Sequence, residues 1–398
     1  MSNINTTGNT LQTTGLNKTF YDRQLLESAK TRFVHAKFGQ KRSLKKHHGK
    51  QIEFRRWNLF DPGAVMNGLE EGVTPTGQAL EQTNVNAEIS QYGAYVEVSD
   101  VLDMTGFDMV INDSAELLGE QLGTVVEWVT RDEICSGNNV RYANGKTSRY
   151  SLTANDKLTV EEIRKAVRTL KDAKARYFSD NGRKPHFICI CSPEATYDLQ
   201  SDQNWQDVSK YSNAEQIYSG EIGRLYGVVF VESTEAKIFS PTINKKLAPG
   251  STTTTIKFST PLTKSEIAYL KSTDATVKIG NTTNCTVTGT GGLTAAVDTI
   301  TLSTALSAAP LAGTIVLSED AGATGAEVHA TLVFGKDAYG TIELEGSGVL
   351  ETIIKPVGSA GTGDPLNQRA TVGAKVMGYA AKILNDYWIV RIEHGVSA

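Results

Sequence analysis

The sequence predicts an α+β protein: a long helix set among mixed strands, with a small all-β domain inserted in the chain. Three observations carry this. Residues 107–137, FDMVINDSAELLGEQLGTVVEWVTRDEICSG, place apolar residues at steps of three and four, which is helical. Elsewhere the period switches repeatedly to two, as in VNAEISQYGAYVEVSD. Residues 251–306 then break composition, with 17 threonines and no Arg, Trp or His. Their β-branched residues recur between turn signals, so they predict strands, not low-complexity disorder.

Composition sets bounds. At 398 residues, 39% hydrophobic and 21% charged, the chain can bury one large core or two to three ordinary ones. The formal charge of −4 is wrong for a protein that wraps nucleic acid over its whole surface, so any DNA contact should be local. The opening MSNINTTGNTLQTTG has neither a basic nor an apolar segment, and no run approaches the roughly 18 apolar residues that span a bilayer. These features lead us to expect folding in a cytoplasm. The four cysteines, Cys135, Cys189, Cys191 and Cys285, are too dilute for a disulfide framework. Charge is uneven along the chain. Residues 1–60 hold twelve basic residues against three acidic ones, a net of +9, and residues 61–135 hold fifteen acids against Arg131, a net of −14. Such asymmetry either steers self-association or amounts to two solvated faces that never meet.

In chain order, residues 1–19 read as an adaptable tail and 19–40 as an amphipathic helix carrying Phe20, Leu25, Ala29, Phe33 and Phe38. KRSLKKHHGK (41–50) reads as a basic loop. GKQIEFRRWNLF (49–60) and residues 85–100 predict two strands, joined by a glycine-rich acidic loop with little to form a core. That is an extended hairpin, and an isolated two-stranded hairpin is marginal in water, so it should need a neighbour to lie on. In the long helix, Phe107, Ile111, Ala115, Leu118, Leu122, Val125 and Val129 form the stripe, and Gly119 and Gly123 imply close approach of another backbone. TVEEIRKAVRTLKDAKARYF (159–178) predicts a helix with a capping box from Thr159 to Glu162. PHFICICS predicts a buried strand, PEATYDLQSD a helix with proline in its first turn, and GRLYGVVFVES (223–233) another strand. The Thr-rich module should occupy roughly 239–326. In the last forty residues, Ala374–Leu384 and Tyr387–Glu393 predict a hairpin turning at Asn385-Asp386. Trp388, Val390 and Ile392 should face the core, with Arg391 and Glu393 opposite.

Catalytic chemistry is hard to find. Cys189 and Cys191 lie two apart in an apolar strand, which suits small core residues better than half of a zinc site. His47-His48 sits in a basic stretch and reads as solvated surface. No G-x-S-x-G, Walker A, H-E-x-x-H or G-x-G-x-x-G occurs, and GSAGTGD (358–364) lacks the Lys and helix of a phosphate loop. The expectation is a non-enzymatic protein with no cofactor and no metal.

Several stretches resemble the major capsid proteins of N4-type tailed phages: TTGLNKTFYDRQLL (13–26), LLGEQLGTVVEWVTRDEICSGNNVRYANG (117–145), LVFGKDAYGTIEL (332–344) and DPLNQRATVGAKVMGYAAKILNDYWIVRIE (364–393). The resemblance spares 239–326, a plausible variable insertion. It implies an HK97-like major capsid fold. The N-arm would be 1–48, the E-loop hairpin 49–100, and the P-domain with its spine helix 101–149. The A-domain would run over 150–238 and 327–340, with P-domain strands at 341–358 and a C-terminal hairpin at 359–398. It further implies a homo-oligomeric shell of hexamers and pentamers in a virion, assembled in a host bacterial cytoplasm, away from membranes. Its partners would be a portal, packaged dsDNA and, where the shell needs them, scaffolding and decoration proteins. The alternatives are an encapsulin-like cellular shell and, further off, an adhesin or surface-layer protein. The fold's namesake cross-links subunits through an E-loop lysine, yet residues 51–145 contain no lysine, so non-covalent shells are expected. The expected intersubunit contacts are Lys41, Arg42, Lys45, Lys46, Arg55 and Arg56 on the basic side, and Glu70, Glu71 and Glu81 on the acidic side.

Overall fold

The computed structural model describes residues 34–397 except 46, 59, 66–73, 75–76, 106–109, 180–184, 204, 206–220, 273–275, 281–284, 289–296, 319–320, 345–350, 360–365 and 367. Two compact units divide the chain: residues 1–136 with 337–385, and residues 137–336 with 386–398.

The first unit opens on a 3-10 turn, His35–Lys37, and strand β1 (Gln40–Leu44), which pairs in parallel with a later strand from Gln40↔Gly340 to Leu44↔Leu344. One expectation is corrected: Lys41 and Arg42 lie in an edge strand rather than a loop. Of the helix expected over 19–40, residues 19–33 lie outside the described residues, and the described part holds only that turn. Leu44 buries at the strand's end while Lys41, Arg42 and Ser43 stay exposed, an arrangement that blunts a sheet edge. Strands β2 (Gln51–Trp57) and β3 (Gln82–Glu88) pair antiparallel from Gln51↔Glu88 to Trp57↔Gln82. The single strand expected over 85–100 is two, because β4 (Ser90–Ser99) leaves the hairpin after Ile89 and joins a different sheet. Ile89 packs with Leu44, Ala87 and Ile342, pinning the chain where it changes sheets.

Helix α1 (Asp100–Thr105) precedes the long helix α2 (Val110–Cys135). Ala115, Leu118, Leu122 and Val126 of α2 form one core with Val372, Ala374, Val376 and Tyr379. Val126 is buried where Val125 was expected, since the steps from Ala115 run three, four and four and stay nearer the 3.6 period. Gly119 and Gly123 are buried as well. Thr130 Oγ1 and the Tyr379 hydroxyl lie 2.8 Å apart within this layer.

The second unit begins at β5 (Val140–Tyr142) and helix α3 (Val160–Asp172). Only half of the expected capping box forms. Thr159 accepts from the Glu162 amide at 3.4 Å, while the Glu162 carboxylate takes Lys165 at 2.9 Å. The helix also stops short of 178. Lys174 turns left-handed at φ +53°, and Ala175 N donates back to Leu170 O at 2.9 Å. Strand β6 (Phe187–Cys191) buries both thiols on the face that meets Ile163, Val167 and Leu170. Ser192 then caps α4 (Pro193–Gln200). The stretch expected as one strand over 223–233 folds back on itself as β7 (Glu221–Leu225) and β8 (Val228–Glu232). Tyr226 and Gly227 sit at φ +49° and +79°, the signature of a two-residue turn whose twist suits the flanking strands.

Strand β9 (Ile238–Phe239) belongs to this unit's main sheet, and the inserted module follows. Its strands are β10 (Asn244–Lys246), β11 (Thr255–Lys257), β12 (Thr276–Ile279), β13 (Cys285–Thr288), β14 (Thr299–Leu302) and β15 (Ile315–Ser318), all antiparallel in the order β10-β15-β12-β13-β14-β11. The module has its own core, built on Ile256, Phe258, Val277, Ile300 and Val316. It is not all-β. Helix α5 (Lys264–Leu270) carries the reciprocal capping box, Thr263 with Glu266, that TKSE spells out. The module enters and leaves through one stem, where Asn244 pairs with Leu317 and Ser318 N donates to Ile243 O at 3.0 Å.

The chain then runs through β16 (Val328–Phe334), β17 (Tyr339–Leu344), β18 (Glu351–Lys355), β19 (Arg369–Ile383) and β20 (Ile389–His394). The expected C-terminal hairpin does not exist. β19 lies in the first unit's sheet, bonded to β4, β17 and β18 along its fifteen residues, while β20 pairs with β16 and β5 in the second unit. With those partners engaged, neither strand offers the other a free edge. A 3-10 turn at Asp386–Trp388 makes the switch. Val390 and Ile392 join the core as expected, and Glu393, on the opposite side, is fully buried too. Arg149 grips its carboxylate from Nε and Nη2, both at 2.7 Å, and Arg391 Nε lies 2.9 Å away.

Next to it, His394 donates from Nδ1 to Gly395 O at 2.8 Å, which leaves Nε2 to accept from Thr331 at 2.9 Å. Burial lowers its pKa from 6.5 to about 4 and also lowers that of His329, which stacks on it at 6.1 Å. The neutral rings suit the fold, whereas the unfolded chain takes up protons below about pH 6.5. Stability should therefore be full above that pH and be lost as pH falls towards 4, by on the order of 3 kcal/mol for His394. Melting temperatures of the purified protein across pH 7 to 4 check this, and a flat profile would contradict it.

Candidate intersubunit surface

Nothing among the described residues gathers three or more His, Cys, Asp or Glu side chains for a metal, and no described helix is long and apolar enough to cross a membrane. The first unit instead shows surfaces that its described residues leave bare. The β2–β3 hairpin is fastened at its base, where Ile52 and Phe54 pack with Leu44, Ala87, Ile342 and Ala380. Beyond that, Trp57, Phe60 and Leu80 are 59, 52 and 65% exposed. Aromatic and aliphatic groups at the end of a two-stranded arm are what a partner would cover.

The charged residues expected at intersubunit contacts distribute as follows. Lys41 and Arg42 stand on the exposed edge of β1, with Lys45 just beyond. Arg55 is held by Glu53 of its own strand at 2.9 Å, and Arg56 is exposed beside it. Glu81 lies at the start of β3, where its backbone oxygen accepts from Asn58 N at 2.9 Å. Arg55, Arg56 and Glu81 thus share the hairpin. Lys46, Glu70 and Glu71 lie outside the described residues.

Two features escape a reading of the sequence. The first is an open groove of about 420 Å3 on the sheet, lined by Gly93, Tyr95, Ile353, Lys355, Gly373 and Lys375. Register places Gly93 opposite Lys375 and Gly373 opposite Tyr95, so two strand glycines form a saddle between a ring and two ammonium groups. A Cβ on Gly373 would meet nothing closer than 3.5 Å, so its own chain has no need of glycine there. The signal in the sequence is glycine inside an alternating strand, which marks close backbone approach. The second is Glu127 of α2. It accepts from Val34 N at 3.0 Å, His35 N at 2.6 Å and Ala36 N at 3.4 Å, and lies 2.6 Å from His35 Nδ1, all buried or nearly so. The Tyr339 hydroxyl donates to His35 O. The carboxylate therefore fixes the point at which the N-terminal segment meets the helix. A glutamate on an amphipathic helix ordinarily reads as solvated, so nothing in the pattern marks it.

Comparison with known proteins follows the same line. A family profile described as phage capsid protein matches residues 130–305. No curated protein sequence matches the chain. Among solved structures, the capsid of Ralstonia phage GP4 aligns with a TM-score of 0.56 at 11% identity, over 92% of this chain and 89% of that one. The capsid of cyanophage Pam1 gives 0.55 at 11%, over 92% and 94%, and that of cyanophage P-SCSP1u gives 0.52 at 14%, over 92% and 88%. The chain has the mixed α/β, mostly strand, fold of a phage capsid protein.

Proposed function

We propose that this chain is the major capsid protein of a tailed dsDNA phage, of the N4 type, whose copies close into an icosahedral head. The observation that carries the reading is the β2–β3 hairpin with its bare aromatic end, together with a sheet groove floored by glycines in the same unit. One surface projects and the other receives, so contacts that are weak singly become strong when repeated around a closed shell. In the HK97 plan the hairpin is the E-loop, the sheet of β1, β4 and β17 to β19 with α2 the P-domain, and the sheet of β5 to β9, β16 and β20 with α3 and α4 the A-domain. The module after β9 is an addition to the A-domain. Basic Lys41, Arg42, Lys45, Lys46 and Arg56 would face acidic Glu70, Glu71 and Glu81 of a neighbour.

Electron microscopy of the purified, concentrated protein tests the reading. Closed shells of uniform size support it, and monomers under every condition defeat it. Because residues 51–145 offer no lysine, mature particles boiled in detergent should run as a single band near 43.0 kDa. Ladders of covalent multimers would show that some other residue pair cross-links them.

A further inference from the structure

The exposed face of α3 is absorbed by none of the surfaces above. Arg164, Arg168 and Lys171 project from it in one exposed row, at helical spacings of four and three. They line two adjoining grooves. One, of about 560 Å3, is formed with Val160, Glu161, Lys165 and Tyr226, and the other, of about 350 Å3, with Tyr177, Pro185, Phe187 and again Tyr226. Lys165 is held by Glu161 at 3.0 Å and Glu162 at 2.9 Å, so it adds little charge, and Glu161 is the acid in the groove. The row itself meets no carboxylate among the described residues.

Tyr226 adds a second, independent observation. It occupies the first position of the β7–β8 turn at φ +49°, where Asn, Asp or Gly is the usual residue and a bulky side chain is strained. Its ring is half exposed and lies 5.1 Å from the Arg164 guanidinium. The ring set over Arg164 adds an aromatic face to the row of cations and helps to hold that guanidinium on the groove. Tyr177, also exposed, stands at the far end.

We propose that this face binds the phosphodiester backbone of DNA. Arg164 to Lys171 spans about 10 Å of helix, close to the axial run of about three phosphates on one strand of a duplex. Three cations on a rigid helix can meet successive phosphates without reading bases, and the tyrosine rings flank them as in other nucleic-acid surfaces. The small net charge of the chain agrees with such a local contact. The inference rests on the capsid reading for the identity of the DNA, which would be the enclosed genome.

The test uses full-length, unassembled protein and a fluorescent 20-base-pair duplex, titrated over a range of NaCl concentrations. Each phosphate contact contributes a slope of about −0.9 in log K against log salt, so R164Q/R168Q/K171Q should flatten the slope by about 2–3. A control, K257Q/K264Q/K271Q in the inserted module, should leave the slope unchanged. An equal loss in both, or an unchanged slope in the first, overturns the proposal. So does a variant that keeps its slope but no longer forms shells, because the row would then face another copy of the chain. Circular dichroism and melting temperature show that each variant is folded. Wild-type protein that binds DNA through this row yet forms no shells would sink the capsid reading and leave the DNA site standing.

Discussion

Glu393→Ala is expected to lower stability by about 3–5 kcal/mol, the cost of leaving buried cations without their counter-charge. Glu393 is fully buried, and Arg149 and Arg391 both reach its carboxylate. Arg149 also lies 3.5 Å from the Phe239 ring, so it cannot simply swing into water without uncovering that contact. The three charges join β20 to the turn before α3 and to β9, which means that the loss should be felt throughout the second unit. Denaturant titration of unassembled protein checks it. Replacing the whole set with apolar residues of similar volume should cost far less than removing the glutamate alone, because the penalty belongs to the stranded arginines. A loss under about 1 kcal/mol for Glu393→Ala would mean that water reaches the site.

Gly373→Gln separates folding from assembly. The added Cβ fits at ordinary contact distances from Tyr95 and Ile353, and a glycine inside a strand costs roughly 0.5–1 kcal/mol relative to alanine. The free subunit should therefore be unchanged or slightly more stable. In the groove, however, the side chain would occupy the saddle between Gly93, Ile353 and the two lysines. If a neighbour's extended segment seats there, the yield of closed particles should fall by an order of magnitude or more, since each shell repeats the defect at every copy. Sedimentation of the variant beside wild type reads the result. Normal shells from Gly373→Gln would mean that the groove faces solvent in the particle.

What the sequence reveals follows the range of the interaction. The long helix, the buried cysteines on β6 and the Ser192-Pro193 helix start are local patterns of period and capping, and they appear in the structure within a few residues. The errors share another cause. The run 223–233 alternates well enough for one strand, and only the left-handed conformations of Tyr226 and Gly227 turn it into two. The run 85–100 is continuous in pattern but changes sheets at Ile89. β19 and β20 look like a hairpin because they are adjacent and apolar, yet each finds its partners far away along the chain. Pairing is settled by tertiary contacts that no local period records. The surface fared in the same way. Charges on 41–81 could be counted, but the glycine saddle needs Gly93 and Gly373 to arrive on neighbouring strands, and the hold of Glu127 needs His35 brought to its helix.

The stem of the inserted module has a consequence for how such a protein can change over time. Its two ends leave as paired strands about 5 Å apart, and its core is its own. To the host sheet, everything between Asn244 and Ser318 is equivalent to one long loop, and loop-closure entropy grows only with the logarithm of length. The site is therefore a socket: a short turn, or an unrelated domain with adjacent termini, would present the same ends to β9 and β16. Lineages could exchange whole inserted domains there while the strands of the host sheet stay as they are.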